Sequence, residues 1–430
     1  MSQPGKAPMR AWVVTLAGTA INLCLGILYA WSVWKAALVN AAHPAGEAMS
    51  GLNEGWTYLT NAQATWAYVI CGFVFALCMI PGGRIQDKYG PRVGATLSGV
   101  FLMAGCLVAG LMKSYEGLLV GFGLLGGLGM GLGYAAATPV AVKWFGPHQR
   151  GLIVGLVVGG FGGAAIYISP LAQFLLDAHG LTGSFVGLGL FFGVVILTAA
   201  QFLKVPPAGY VPPAPPPTFQ PKAMTATSWT APQMLKTVQF YGLVFLFFGA
   251  AQSGLVVIAN AKDVLKETAA LGGSAAFFAA NAWLLSSYGG LINASGRVGT
   301  GLYSDRVGRA NAYLINSVVS VLCLLALPTV MQSGQVVLLF LIVGVIYWQY
   351  GGSLALLPAF TADYFGAKNM GTNYGLVFLG WGLAFLVPQA AGYIKDQTGS
   401  LDAAFYLSAG LLAVAIVVSR ALKRPLLGGE

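Results

Sequence analysis

The chain has 430 residues, of which 57% are hydrophobic and 8% charged, with a formal net charge of +10. That balance excludes a water-soluble globular domain. The basic excess also fails to indicate nucleic acid, because it lies in short clusters between apolar runs and not along one amphipathic face. What remains is a polytopic membrane protein.

Taken in chain order, apolar segments predict membrane helices over 11–36, 57–81, 93–112, 117–142, 151–176 and 183–204. A second set follows at 237–261, 275–300, 310–330, 335–361, 371–394 and 402–422. Each is long enough to cross roughly 30 Å of hydrocarbon. The first begins after Lys6 and Arg10 and runs past signal-peptide length, so it reads as an uncleaved span. Between the sets, Pro206-Pro207, Pro212-Pro213 and Pro215-Pro216-Pro217 cannot propagate a helix and predict an extended linker. The expected organisation is therefore a bundle over 1–204, a proline-rich cytoplasmic linker over 205–232 and a second bundle over 233–430.

A short polar motif occurs twice, 218 residues apart. Gly83, Asp87, Gly90 and Arg92 return as Gly301, Asp305, Gly308 and Arg309. Trp144-Phe145-Gly146, with Gly151, Gly155 and Val157, returns as Tyr364-Phe365-Gly366 with Gly371, Gly375 and Val377. The chain thus reads as two parallel repeats, the plan of carriers that rock two bundles around a central site. Lys and Arg number 16 on the side of the termini and the motifs and 5 on the other, with Arg297 left over. The positive-inside rule places both termini in the cytoplasm. Expected localisation is a bacterial cytoplasmic (inner) membrane, crossed many times.

Other signals are read as packing. Cys24, Cys71, Cys78, Cys106 and Cys323 fall in apolar runs without metal or disulfide spacing. Gly121-Phe122-Gly123-Leu124-Leu125-Gly126 fits a dinucleotide fingerprint formally, but no strand precedes it. Gly151, Gly155, Gly159 and Gly163 repeat every four residues and predict a face that packs closely on another helix. His43, His148 and His179 are isolated at loops or helix ends, so no acid, base or nucleophile pair suggests an embedded enzyme.

Every charged residue except Arg297 lies near a predicted helix end or in a loop. A cation within the membrane is costly and by default marks a function, although snorkelling or pairing with Asp305 is the bland alternative. Asn293 lies one turn earlier on the same face. An arginine without an acid in the spans predicts a seat for an anion, best a carboxylate whose two oxygens meet the planar fork. Tyr29, Tyr134, Tyr347, Tyr350 and Trp381 are the aromatic residues expected to wall the cavity, with Leu28 beside Tyr29. Gly83, Asp87, Arg92, Gly301, Asp305 and Arg309 are expected to gate, with the two aspartates just beyond helix ends. No cofactor or metal is called for.

With these residues in view, the chain resembles the major facilitator superfamily over its whole length. Leu28-Tyr29-Ala30-Trp31-Ser32, Ile80-Pro81-Gly82-Gly83-Arg84 and the run Tyr364 to Gly375 are similar to the oxalate/formate antiporter family. Trp144-Phe145, Arg150-Gly151 and the glycine ladder resemble the fifth-helix signature of proton-linked monocarboxylate transporters. The resemblance implies an all-α membrane protein with twelve helices in two six-helix bundles. It also implies a monomeric secondary carrier of a small monocarboxylate of the lactate or pyruvate type, with a proton and the bilayer as its other partners.

Two departures bear on coupling. Oxalate carriers place a lysine in the eleventh helix where this chain has Trp381, so one cation suggests one carboxylate. Animal monocarboxylate carriers have an aspartate at the place of Asn293 and usually a first-helix lysine near Val33. Symport with a proton and exchange of anions therefore both stay open, with a multidrug or sugar porter as the more distant rival.

Overall fold

The computed structural model describes residues 7–146, 149–214, 228–273, 275–366 and 368–425. Expectations attached to Pro215-Pro216-Pro217, to His148 and to the side chain of Arg150 fall outside the described residues. Apart from an isolated bridge between Ala48 and Thr57, the described residues contain no strand. Helices are what an apolar chain must form where no water can satisfy its backbone.

In chain order they are α1 (Met9–Leu38), α2 (Asn61–Tyr89), α3 (Pro91–Leu111) and α4 (Tyr115–Val142). A 50-residue apolar run, Gly151–Ala200, follows. It turns back at Gly180 (φ 69°, ψ −171°), which divides it into α5 (150–179) and α6 (181–200). Then come α7 (Val238–Ala270), α8 (Leu284–Val307), α9 (Arg309–Ser333), α10 (Val336–Phe365), α11 (Met370–Thr398) and α12 (Asp402–Ala421). Ten continuous helices are long and apolar enough to span. The break at Gly180 yields another, and α8 is the twelfth among the described residues, less apolar than the rest because serines, glycines, Asn293 and Arg297 interrupt it.

Several ends differ from the sequence reading. α2 starts at Asn61 because Thr60 and Gln63 form a reciprocal capping box. It runs through Pro81 to Tyr89, since one lost donor does not outweigh the other helical bonds in apolar surroundings. The predicted helix over 275–300 is interrupted, as a short turn Ala275–Ala280 precedes α8. α7 continues nine residues past its predicted end at 261, to Ala270. Asp87 and Asp305 therefore sit inside the last helical turns of α2 and α8, not beyond them.

The repeat is visible in conformation as well as in sequence. α2 ends on Gly90 (φ 88°, ψ 164°) and α8 on Gly308 (φ 87°, ψ 151°), and each glycine also caps the next helix. A side chain would be strained at that φ, which accounts for glycine at both places. Trp144 Nε1 donates to the carbonyl of Lys204 past α6 (2.7 Å). Its repeat counterpart Tyr364 donates through its hydroxyl to the carbonyl of Leu422 past α12 (3.2 Å).

Helices of the first set meet those of the second along three seams: α2 on α11, α5 on α8, and α1 on α7. Of the glycine ladder expected to pack closely on another helix, only Gly163 has a neighbour in ordinary contact range there, Ala294 of α8 at 3.8 Å. A side chain at Gly151 or Gly159 would meet nothing within 4 Å, and one at Gly155 would just reach Val298 at 4.0 Å. The close approaches of α5 lie on the adjoining face instead, where Gly160 meets Thr19 of α1 and Gly162 meets Arg297 of α8.

Candidate functional site

α1 does not cross as a uniform helix. Residues Gly26–Ala30 tighten into a 3-10 stretch, which buries Leu28 and brings Tyr29 against Phe161 of α5 (ring centroids 5.1 Å). The Tyr29 hydroxyl meets that of Tyr350 on α10 at 2.9 Å. Trp381 Nε1 of α11 donates to the same Tyr350 hydroxyl, also at 2.9 Å. Three helices, one of them from the first set, thus converge on one phenol.

Arg297 enters this group from α8 with only 6% of its surface exposed. Its Nε donates to Asn293 Oδ1 (3.2 Å), one Nη to the main-chain carbonyl of Val158 on α5 (3.1 Å) and the other to the Tyr29 hydroxyl (3.2 Å). The guanidinium also lies over the Phe161 ring at 5.9 Å from its centroid. A side chain at Gly162 would come within 2.8 Å of Arg297 Nε, so glycine is what admits the cation at this wall. All these partners are neutral. The Arg297 charge is held in place by dipoles and a ring face, which orient it without cancelling it.

Around the cation, Tyr134 packs edge-on against Phe161 (5.3 Å) and Phe75 (5.5 Å). Phe75 in turn meets Trp381 (5.1 Å), and Phe378 stacks on Trp381 (4.9 Å). Arg297, Asn293, Tyr29, Tyr134, Tyr350 and Trp381 therefore come together. Leu28 is buried beside Tyr29 as part of the apolar wall, and Tyr347 lies one turn from Tyr350 with its ring against Gly289 of α8. Sequence reading missed Phe75, Phe161 and Phe378. Phe161, a lone large residue in the run Gly159-Gly160-Phe161-Gly162-Gly163, carried a signal that was there to be read.

Arg297 is not alone among buried cations, although the second lies near a helix end, as expected of every charge but Arg297. Lys35, near the end of α1 opposite the motifs, is 1% exposed at its side chain. It donates to Asn260 Oδ1 and lies 3.8 Å from Asp263 Oδ2, both on α7. Asp263 also faces Lys395 of α11 at 3.4 Å, and Lys395 pairs with Glu267 at 2.8 Å. The extension of α7 places Asn260, Asp263 and Glu267 on one face at helical spacing. Next to Lys395, Asp396 accepts from the backbone N–H groups of Asn61 and Ala62 at the N-terminus of α2, each at 2.8 Å. A carboxylate of α11 thereby caps a helix of the first set.

At the motif end, Arg309 meets Asp305 (2.7 Å), Asp363 of α10 (3.7 Å) and Ser304. The first copy differs, because Arg92 donates to the carbonyl of Gln201 at the end of α6 (2.9 Å) while Asp87 is exposed. The arginine stands four residues after Asp305 but five after Asp87, with Gly90-Pro91 between, so only the second copy can close an i,i+4 pair. Gly83 and Gly301 lie within α2 and α8, with open space beside each.

Residues 23–387 match the family model described as Major Facilitator Superfamily. The chain is 26% identical to an oxalate:formate antiporter of Oxalobacter formigenes over 376 residues, covering 80% of this chain and 86% of that protein. It is 26% identical to monocarboxylate transporter 12 of Xenopus laevis over 395 residues, covering 85% and 82%. Among solved structures, a partially occluded inward-open conformation of the xylose transporter XylE from E. coli superposes with a TM-score of 0.65. It covers 95% of this chain and 98% of that one at 13% identity, a likeness of fold.

Proposed function

The chain belongs to the Major Facilitator Superfamily, a family of transporters and not of enzymes, and from that premise we propose that it carries a small monocarboxylate across a bacterial cytoplasmic membrane by alternating access. One observation carries the reading. Arg297 is buried where α1, α5, α8 and α10 meet, and the partners its guanidinium has there are an amide, a carbonyl and a phenol. A carboxylate would add to these the charge they lack, and its two oxygens suit the planar fork. The aromatic residues around Arg297 suit a short apolar body, and no second cation is among the described contacts of its guanidinium, in keeping with a monoanion.

In this reading the bundles 1–204 and 233–430 rock about Arg297, with both termini cytoplasmic and one chain sufficient as a monomer. The motif residues around Asp87 and Asp305 regulate the cytoplasmic side. Proton symport is the favoured mode, with lactate or pyruvate as the cargo type. Anion exchange is the second reading, favoured by the neutral surroundings of Arg297: an empty carrier has to occlude an uncompensated cation in order to reorient, whereas a loaded one does not.

Uptake of labelled L-lactate into proteoliposomes under an imposed proton gradient separates the modes. Accumulation in empty vesicles, abolished by a protonophore, is expected for symport, and uptake confined to vesicles preloaded with monocarboxylate establishes exchange. Wild-type uptake by Arg297→Lys would overturn the site itself.

A further inference from the structure

At the motif end of the first helix set, α1 and α6 lie side by side without filling the space between them. Ala17 and Ala199 are small and buried, whereas Leu16 and Val194 stand exposed beside them. The result is a groove with an alanine floor and taller apolar rims, continuing past Val13 and Phe202 toward the helix ends. Its volume is about 560 Å³, on the scale of sites that take ligands, roughly 300–1,000 Å³. Because its rims are exposed apolar side chains on two membrane-spanning helices, it opens toward lipid.

The second helix set closes the matching gap. Gly242 and Gly249 stand as far into α7 as Val13 and Ala20 stand into α1. A side chain at Gly242 would come within 2.5 Å of Leu422, just past α12, and one at Gly249 within 2.5 Å of Ala415 of α12. The glycines let α7 and α12 meet, and the groove is therefore a departure from the repeat. Its mouth is cationic. Arg10 lies one turn before Val13 on the same side of α1, and Lys204 follows two residues after Phe202, both exposed. Arg92 of α3 donates to the carbonyl of Gln201, next to Phe202 (2.9 Å), a contact that orients its charge without cancelling it. The stretches that carry the two helices contain no acid at all, neither in 1–46 nor in 178–262.

We propose that this groove is a binding site for an anionic phospholipid, with an acyl chain along the alanine floor and the phosphate-bearing headgroup drawn to Arg10 and Arg92 at its mouth. An apolar channel ending in cations matches an amphiphile with a negative head, and long basic side chains at a helix end reach the headgroup level. Such a site needs only the membrane-spanning fold and does not depend on which anion Arg297 receives.

The test is native mass spectrometry of the full chain in detergent, titrated with phosphatidylglycerol or with phosphatidylcholine carrying the same acyl chains. Wild type is expected to retain phosphatidylglycerol in preference to phosphatidylcholine. Arg10→Gln and Arg92→Gln should each weaken phosphatidylglycerol binding roughly fivefold and leave phosphatidylcholine unchanged, while Arg10→Lys keeps wild-type binding. Ala20→Phe, which fills the groove, should displace both lipids. The arginine variants change exposed side chains, so they test the headgroup even where Ala20→Phe lowers the unfolding temperature. Arg420→Gln, at the end of α12 where Arg420 bonds Asn311 (3.0 Å), should change nothing. Equal binding of the two lipids, or an equal loss with Arg420→Gln, overturns the anionic headgroup at Arg10 and Arg92. Wild-type retention of phosphatidylglycerol by a folded Ala20→Phe overturns the groove as its seat.

Discussion

Two buried cations, Arg297 between α5 and α8 and Lys35 between α1 and α7, both lie where the helix sets meet and are treated in opposite ways. Lys35 has a carboxylate, Asp263, shared with Lys395 and backed by Glu267. Arg297 has neutral dipoles and a phenylalanine face. A charge balanced by the protein's own acids holds helices together. A charge that the protein orients and leaves uncancelled is available to a ligand. The contrast sets a fastened end, at Lys35, against a middle that the reading proposed above makes receptive, at Arg297.

The sharpest way to break this comparison is Arg297→Lys. It keeps the charge but loses the fork and the contacts to Asn293 and Tyr29, roughly 3 kcal/mol or a 100-fold loss of lactate uptake. Unchanged uptake would place Arg297 with Lys35 among the structural cations.

Next in size is the fastened end. Removing one partner of a fully buried ion pair costs about 3–5 kcal/mol. Asp263 is 19% exposed, so Lys35→Met should cost less, about 2 kcal/mol, read as a lower unfolding temperature in detergent. Lys35→Met combined with Asp263→Asn should recover part of that loss. Additive losses would show that the two residues act separately.

A smaller effect is expected at the cap. Asp396→Asn weakens the hold of α11 on the start of α2 by about 1 kcal/mol, roughly fivefold in the balance between closed and open forms. In a cysteine-free background with Ser32→Cys, labelling by an impermeant maleimide should rise by that factor. Ser32 is a suitable reporter because it is buried against Ser286 of α8, likewise between the two helix sets (2.9 Å). Smallest of all, Asp305→Asn should change thermal stability by less than about 1 kcal/mol, since Asp305 is 53% exposed in its pair with Arg309. A larger loss would move the motif end into the fastened class.

Much of the architecture could be read from the chain because bilayer length, proline clusters and a duplicated motif are strong local signals. Arg297 and Asn293 were legible for the same reason: a charge and an amide one turn apart stand out in an apolar run. Lys35 was not, since a lysine a few residues from a helix end is indistinguishable in sequence from one that snorkels. Its burial depends on α7 continuing through Asp263, and nothing at Ala261 marks whether that helix stops. The glycine ladder misled in the other direction. Four-residue spacing shows that a face is smooth, but not that a neighbour fills it, and here the contacts of α5 fall on Gly160 and Gly162 instead.

That smooth, unfilled strip has a mechanical meaning. Interlocked side chains must change rotamer before one helix can travel past another, so they make steps and catches. Along Gly151, Gly155 and Gly159 there is nothing to catch on, and Val298 of α8 stands at the edge of the strip. On the reading proposed above, α8, which carries Arg297, faces a bearing surface along which it is free to slide.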